Sequence, residues 1–142
     1  MAPETFNLFV YGSLRKGFPS SAYRYISEHF DFVAQAKVRG LLFDMGHYPA
    51  ALPAQDEHYI IGELYTLRHA EEFSWAMAQL DDYEGTAVEE GELPLYRREI
   101  TTVFAGGEVH SAWIYWYNGN VEGKPPIPSG DVLEYLKEKM KS

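Results

Sequence analysis

The chain reads as an α+β domain: a small mixed, strongly curved β-sheet or barrel with flanking helices. Three observations predict it. Strand-like segments outnumber helical ones, and the helices are spread among them. The long alternation of strand and helix that a doubly wound parallel sheet needs is missing. Hydrophobic residues make up 46% and charged residues 23% of 142 positions, a balance that supports one core of ordinary size. No internal repeat or linker divides the chain, so a single domain over residues 1–142 is expected.

Asn7 to Tyr11 form an apolar first strand, and Ser20-Ser21 cap a short helix running to about His29, with Tyr25 and Ile26 on its inner side. Phe32 to Lys37 alternate as a strand, with Phe32, Ala34 and Ala36 on one side. Gly40 to Met45 read as another strand, closed by the turn Gly46-His47-Tyr48-Pro49. A polar loop follows around Pro53 to His58. Tyr59 to Tyr65 are aromatic and β-branched, and Gly62 inside this strand points to a bulge or a close backbone approach. Phe73, Ala76, Met77 and Leu80 fall on one stripe of a helix predicted from Arg68 to Asp82. Glu71 and Glu72 occupy its first turns, where the macrodipole favours anions, and Gly85 ends it. That leaves Glu84 at the helix's C-terminal edge. After the acidic loop Glu89 to Glu92, Tyr96–Phe104 and Val109–Tyr117 make a hairpin across Ala105-Gly106-Gly107-Glu108. Lys124-Pro125-Pro126-Ile127-Pro128 lies extended over the surface as a tether or a lid. A last helix runs from about Asp131 to Lys141. Trp75, Trp113 and Trp116 are expected in the core, and Trp113 and Tyr115 share one strand face.

Charge and composition exclude several functions. A formal net charge of −9 disfavours broad contact with nucleic-acid backbones or anionic membranes. No cysteine is present, so disulfides, thiolate catalysis and Cys-ligated zinc are excluded. The five histidines lack ligand spacing, and no metal or other cofactor is expected. The N-terminus has no secretory pattern and no apolar run spans a bilayer, so a cytoplasmic location is expected. The oligomeric state is not legible.

The chemistry sits in two places. In Phe9-Val10-Tyr11-Gly12-Ser13-Leu14-Arg15 a strand runs into a glycine turn, whose successive N–H groups can hold an anion. Leu80-Asp81-Asp82-Tyr83-Glu84-Gly85 places carboxylates at a helix end. Taken singly, the first is an ordinary strand exit and the second a solvated acid, paired with Arg97 or Arg98.

With Gly40-Leu41-Leu42-Phe43 leading into Gly46-His47-Tyr48-Pro49, and with Tyr96-Arg97-Arg98, these segments in this order resemble the gamma-glutamylcyclotransferase-like superfamily, in particular its short members related to gamma-glutamylamine cyclotransferase. The resemblance covers residues 7 to about 117. It implies a small mixed barrel and a metal-independent enzyme of the cyclising acyltransferase or lyase type. The implied reaction turns a γ-glutamyl amine or γ-glutamyl dipeptide into 5-oxoproline and releases the amine or amino acid. It also implies that Tyr11, Gly12, Ser13 and Leu14 cradle the glutamyl end and that Glu84 transfers the proton. Many relatives carry Asn or His shortly after the first turn, where this chain has Phe18-Pro19-Ser20-Ser21, so the leaving group is left open.

The residue types suit that chemistry. The substrate's α-amine attacks its own γ-carbonyl, and holding the chain in attack geometry contributes up to about 7–11 kcal/mol in ideal intramolecular cases. One carboxylate can take the amine's proton and later give one to the leaving nitrogen. It works best with a pKa above the roughly 4.3 of free Glu. Burial among rings such as Tyr83 and Tyr115 raises it, whereas an inward Arg97 or Arg98 lowers it. Tyr115 adds a hydroxyl contact, and Asp82 a supporting hydrogen bond. Two rival functions fit part of the pattern: a non-catalytic domain sensing an amino-acid-like anion in the same cleft, and a glycosidase-like pair of Asp82 with Glu84.

Overall fold

The computed structural model describes residues 5–12, 23–45, 49–54, 57–84 and 96–141. Strand β1 (Asn7–Val10) leads to helix α1 (Tyr23–His29), which passes directly into the long strand β2 (Phe30–Asp44). Strands β3 (Pro49–Pro53) and β4 (Tyr59–Leu67) follow, then a 3-10 turn at Ala70–Glu72 and helix α2 (Phe73–Glu84). The hairpin β5 (Tyr96–Ala105) and β6 (Glu108–Tyr117) precedes helix α3 (Val132–Lys141).

The sheet order is β3-β2-β4-β1-β6-β5, and a further pairing at Lys37–Phe104 joins β2 to β5. The five strands β2, β4, β1, β6 and β5 therefore close into a barrel. It is mixed, because β1 runs parallel to β6 and the other pairs are antiparallel. That closure is made at the one pair Lys37–Phe104, and β3 covers the Gly40–Asp44 end of β2.

Alternation along the strands builds two cores. Phe9, Val38, Leu64, Val103, Ala112, Ile114 and Trp116 fill the barrel. Leu8, Val10, Tyr65, Tyr96, Tyr115 and Tyr117 lie on the other face and join Ile26 of α1 and Ala76, Met77 and Leu80 of α2. Leu80 is fully buried, which by itself stabilises the docked helix by roughly 1.5–3 kcal/mol. Helix α2 thus docks through the stripe that its periodicity predicts, although its first turn is 3-10 and α-helix begins only at Phe73.

Four expectations are corrected. The two strands predicted at Phe32–Lys37 and Gly40–Met45 are one strand, because burial of Ala36, Val38 and Gly40 continues the same alternation. A bulge between Phe32 and Ala34 shifts the register, so Phe32 is 54% exposed and does not share a face with Ala36. Strand β3 lies between the predicted turn and the predicted loop and takes Pro49 from the one and Pro53 from the other, both at the strand's ends. Trp75 is 49% exposed and meets His29 edge-on, whereas Trp116 is buried as expected and Trp113, half-buried, packs against the margin of the second core.

The proline segment is a strap. Asp44 N–H donates to Pro125 O at 2.8 Å, Ile127 N–H to Leu42 O at 2.8 Å, and Ile61 N–H to Gly130 O at 2.7 Å. Asp131 caps α3 by accepting from the N–H groups of Leu133 and Glu134, and the Tyr135 hydroxyl donates to Asp44 at 2.8 Å. Residues 20–22, 46–48 and 85–95, and with them the predicted cap, turn and acidic loop, lie outside the described residues.

Candidate active site

The site is built where β1 leaves the barrel. Val10 is the last β1 residue paired with β4, opposite Glu63. Tyr11 and Gly12 continue beyond it, both buried. The Tyr11 hydroxyl donates to the backbone carbonyl of Tyr115 and ties the exit of β1 to β6. The Tyr11 ring also lies 6.5 Å from that of Phe9. Its phenol is therefore engaged in holding the backbone.

Gly12 is shaped by a close approach. A Cβ atom there would meet the ring of Pro49 at the start of β3. Pro49 is itself fixed, since its carbonyl accepts from the buried Tyr96 hydroxyl at 2.8 Å. The Tyr96 ring meets Tyr117 edge-on at 5.5 Å. Three of the sequence segments that carry the resemblance thus join at one corner: Tyr11-Gly12, the Pro49 end of the second and Tyr96 of the last. Tyr115 is buried beside them in the cluster that includes Val10, Ala50 and Leu80.

The fourth segment arrives through α2. The helix ends at Glu84, four residues after the buried Leu80. Ser13 and Leu14 lie outside the described residues, as do the side chains of Asp82 and Glu84.

The two arginines of β5 separate by alternation. Arg97 bonds to Glu99 at 3.2 Å, to Tyr117 O at 3.3 Å and to Asn118 at 3.0 Å. Arg98 lies on the other face, with its guanidinium 4.7 Å from the centre of the Trp113 ring.

One further residue was not singled out from sequence. Glu63 is 4% exposed and is the one buried charged residue among those described. It accepts a hydrogen bond from the Tyr65 hydroxyl at 2.8 Å. The signal lay in Ile60-Ile61-Gly62-Glu63-Leu64-Tyr65, where an acid interrupts an otherwise apolar strand. Among the described residues no group of three or more His, Asp or Glu could hold a metal ion, and no helix is long and apolar enough to cross a membrane.

A family model described as "Gamma-glutamyl cyclotransferase, AIG2-like" matches residues 8–134. The gamma-L-glutamyl-butirosin B gamma-glutamyl cyclotransferase of Niallia circulans is 32% identical over 113 residues, covering 79% of this chain and 67% of that protein. The gamma-glutamylcyclotransferase family protein YtfP of Escherichia coli K12 is 31% identical over 134 residues, covering 89% of this chain and 96% of YtfP. Among solved structures, YkqA from Bacillus subtilis superposes with a TM-score of 0.71 at 26% identity, over 97% of this chain. This chain spans only 43% of YkqA. An AIG2-like protein from Mus musculus superposes with a TM-score of 0.68 at 20% identity, over 91% of this chain and 90% of its own, and shares the fold.

Proposed function

We propose, for a chain that belongs to the gamma-glutamyl cyclotransferase, AIG2-like family, that it cyclises a γ-glutamyl amine or γ-glutamyl dipeptide to 5-oxoproline and releases the amine or amino acid. The Niallia circulans relative is named for γ-L-glutamyl-butirosin B, which supports a substrate carrying a γ-glutamyl group. The leading support is convergence. The exit of β1 at Tyr11-Gly12 and the helix that ends at Glu84 meet the same buried cluster, through Val10 and Leu80.

In this proposal the backbone N–H groups of the turn from Tyr11 to Leu14 hold the charged end of the glutamyl group. Gly12 lets the chain pass tightly against Pro49, and the Tyr11–Tyr115 and Tyr96–Pro49 bonds hold the Tyr11-Gly12 end and its neighbour Pro49 in place. Fixing the Tyr11-Gly12 end before the substrate arrives lowers the reorganisation that binding requires. Glu84 removes a proton from the α-ammonium. The freed amine attacks the γ-carbonyl, forming the ring C–N bond and a tetrahedral oxyanion. Collapse of that intermediate breaks the original C–N bond as Glu84 gives its proton to the departing nitrogen. The carboxylate so regenerated takes the second proton from the ring nitrogen and passes it to the released amine, leaving a neutral lactam, an ammonium and an ionised Glu84. No covalent enzyme intermediate is required, because the nucleophile is already tethered to the electrophile. Tyr115 stands in the wall of the same cluster and contributes shape.

The experiment incubates the purified protein with a panel of γ-glutamyl amines and dipeptides and assays 5-oxoproline. Glu84→Gln is expected to abolish turnover while leaving the fold and most ligand affinity intact. Unchanged turnover in that variant overturns the role of Glu84, and a parent protein that converts none of the panel overturns the proposed reaction.

A further inference from the structure

We infer that Glu63 is a positioning residue for the glutamyl-binding turn, acting from β4 through its bond with Tyr65; this rests on the function proposed above. Glu63 lies opposite Val10 in β1 and opposite Gln35 in β2. It therefore sits beside the last paired residue of β1, one step before Tyr11-Gly12. Its carboxyl group is almost wholly removed from water, an arrangement that costs free energy unless hydrogen bonds compensate.

One oxygen is held by the Tyr65 hydroxyl at 2.8 Å. Tyr65 is itself immobilised: it is 1% exposed, and its ring meets that of Phe32 edge-on at 5.6 Å. The neighbouring Gly62 lies so close to β1 that a Cβ there would be 2.2 Å from the Val10 carbonyl oxygen. The exit of β1 is thus held close to β4 at Gly62, with Glu63 beside it as the pairing partner of Val10.

Strand stability alone does not account for an acid here. Apolar residues of similar volume at buried ionic positions are often as stable or more so. A carboxyl group fixed by a rigid phenol, beside the residue from which the binding turn departs, is suited to holding that turn's path. A contact that positions a binding turn acts equally in the ground state and the transition state. Its loss raises KM and leaves kcat nearly unchanged.

The test measures steady-state kinetics of Glu63→Gln and Tyr65→Phe on the best γ-glutamyl substrate, below the melting temperature of each variant. Glu63→Gln keeps the shape and an acceptor but replaces one oxygen with an amide nitrogen. It is expected to raise KM about tenfold or more with kcat within about threefold, and Tyr65→Phe to move KM the same way by less. Glu84→Gln, run alongside, is expected to do the reverse and lose kcat. If Glu63→Gln does not fold, Tyr65→Phe alone decides. KM within about twofold of the parent in every folded variant overturns the inference while leaving the proposed function standing. A parent that converts no substrate overturns both.

Discussion

Gly12 and Pro49 are packed so closely that a Cβ on residue 12 would lie 2.8 Å from Pro49 Cγ and 3.2 Å from its Cδ. Pro49 cannot swing aside like a flexible side chain, because its ring is closed on the backbone and its carbonyl is held by Tyr96. Gly12→Ala is therefore expected to cost about 1–3 kcal/mol in denaturant unfolding and to displace the turn. Pro49→Ala opens the space that the added methyl needs. The double variant should recover part of the loss, and additive losses in the two single variants would show that the contact does not constrain residue 12.

Two phenols at this corner hold backbone carbonyls: Tyr11 that of Tyr115, and Tyr96 that of Pro49. Tyr11→Phe and Tyr96→Phe each remove a buried donor and leave its carbonyl with less than it had. Each is expected to lower stability by about 1–2 kcal/mol, read from the urea midpoint at constant m. Because neither hydroxyl is assigned to proton transfer, kcat should stay close to that of the parent. A collapse of kcat with unchanged stability in Tyr11→Phe would mean that its hydroxyl acts on substrate.

Much of this corner was legible in the sequence, because its parts are punctuated: a glycine after an apolar strand, a proline closing a predicted turn, a tyrosine opening a hairpin. Helix α2 was legible for the same reason, since Phe73, Ala76, Met77 and Leu80 keep helical spacing. Trp75 was misplaced although that same spacing rules it out: two residues after Phe73 it stands on the opposite side of the helix. Strand β3 was hidden because Pro49-Ala50-Ala51-Leu52-Pro53 has loop-like prolines at both ends and no β-branched residue. The bulge at Val33 was also illegible, since apolar alternation through Phe32, Ala34 and Ala36 looks regular until a partner strand sets the register. Glu63 is not legible in the sequence, because its meaning depends on what lies opposite it, and only the pairing with Val10 supplies that.

Gly62 and Gly107 are both glycines of the sheet region, for different reasons. At Gly62 an added Cβ would fall 2.2 Å from the Val10 carbonyl oxygen and 2.7 Å from the Phe9 ring. At Gly107 it would meet nothing within 4 Å, but φ is +84°. Gly62→Ala is expected to cost about 3 kcal/mol or more and, on the proposed function, to impair turnover, because the displaced strand leads into the proposed binding turn. Gly107→Ala should cost only about 1 kcal/mol, the left-handed penalty, with kinetics unchanged. Equal losses in the two variants, measured by chemical denaturation, would contradict the close approach of β1 to β4.

The strap ties down the end of β2 at Asp44, the residue that pairs with Pro49. Pro125 and Ile127 exchange backbone hydrogen bonds with Asp44 and Leu42, Ile127 is buried in the barrel core, and α3 follows at once. Tyr135 returns from α3 to Asp44 through a part-buried hydroxyl bond of 2.8 Å, so strand, strap and helix are tied at one residue. Tyr135→Phe is expected to cost about 1 kcal/mol, and Ile127→Ala about 2–5 kcal/mol through the cavity it leaves. If the strap folds with the barrel as one unit, both variants lower a single cooperative transition, and amide exchange at Asp44 and Ile127 quickens in step with global unfolding. Exchange at those two amides that is already fast in the parent, with the barrel core still protected, would show instead that the strap opens on its own.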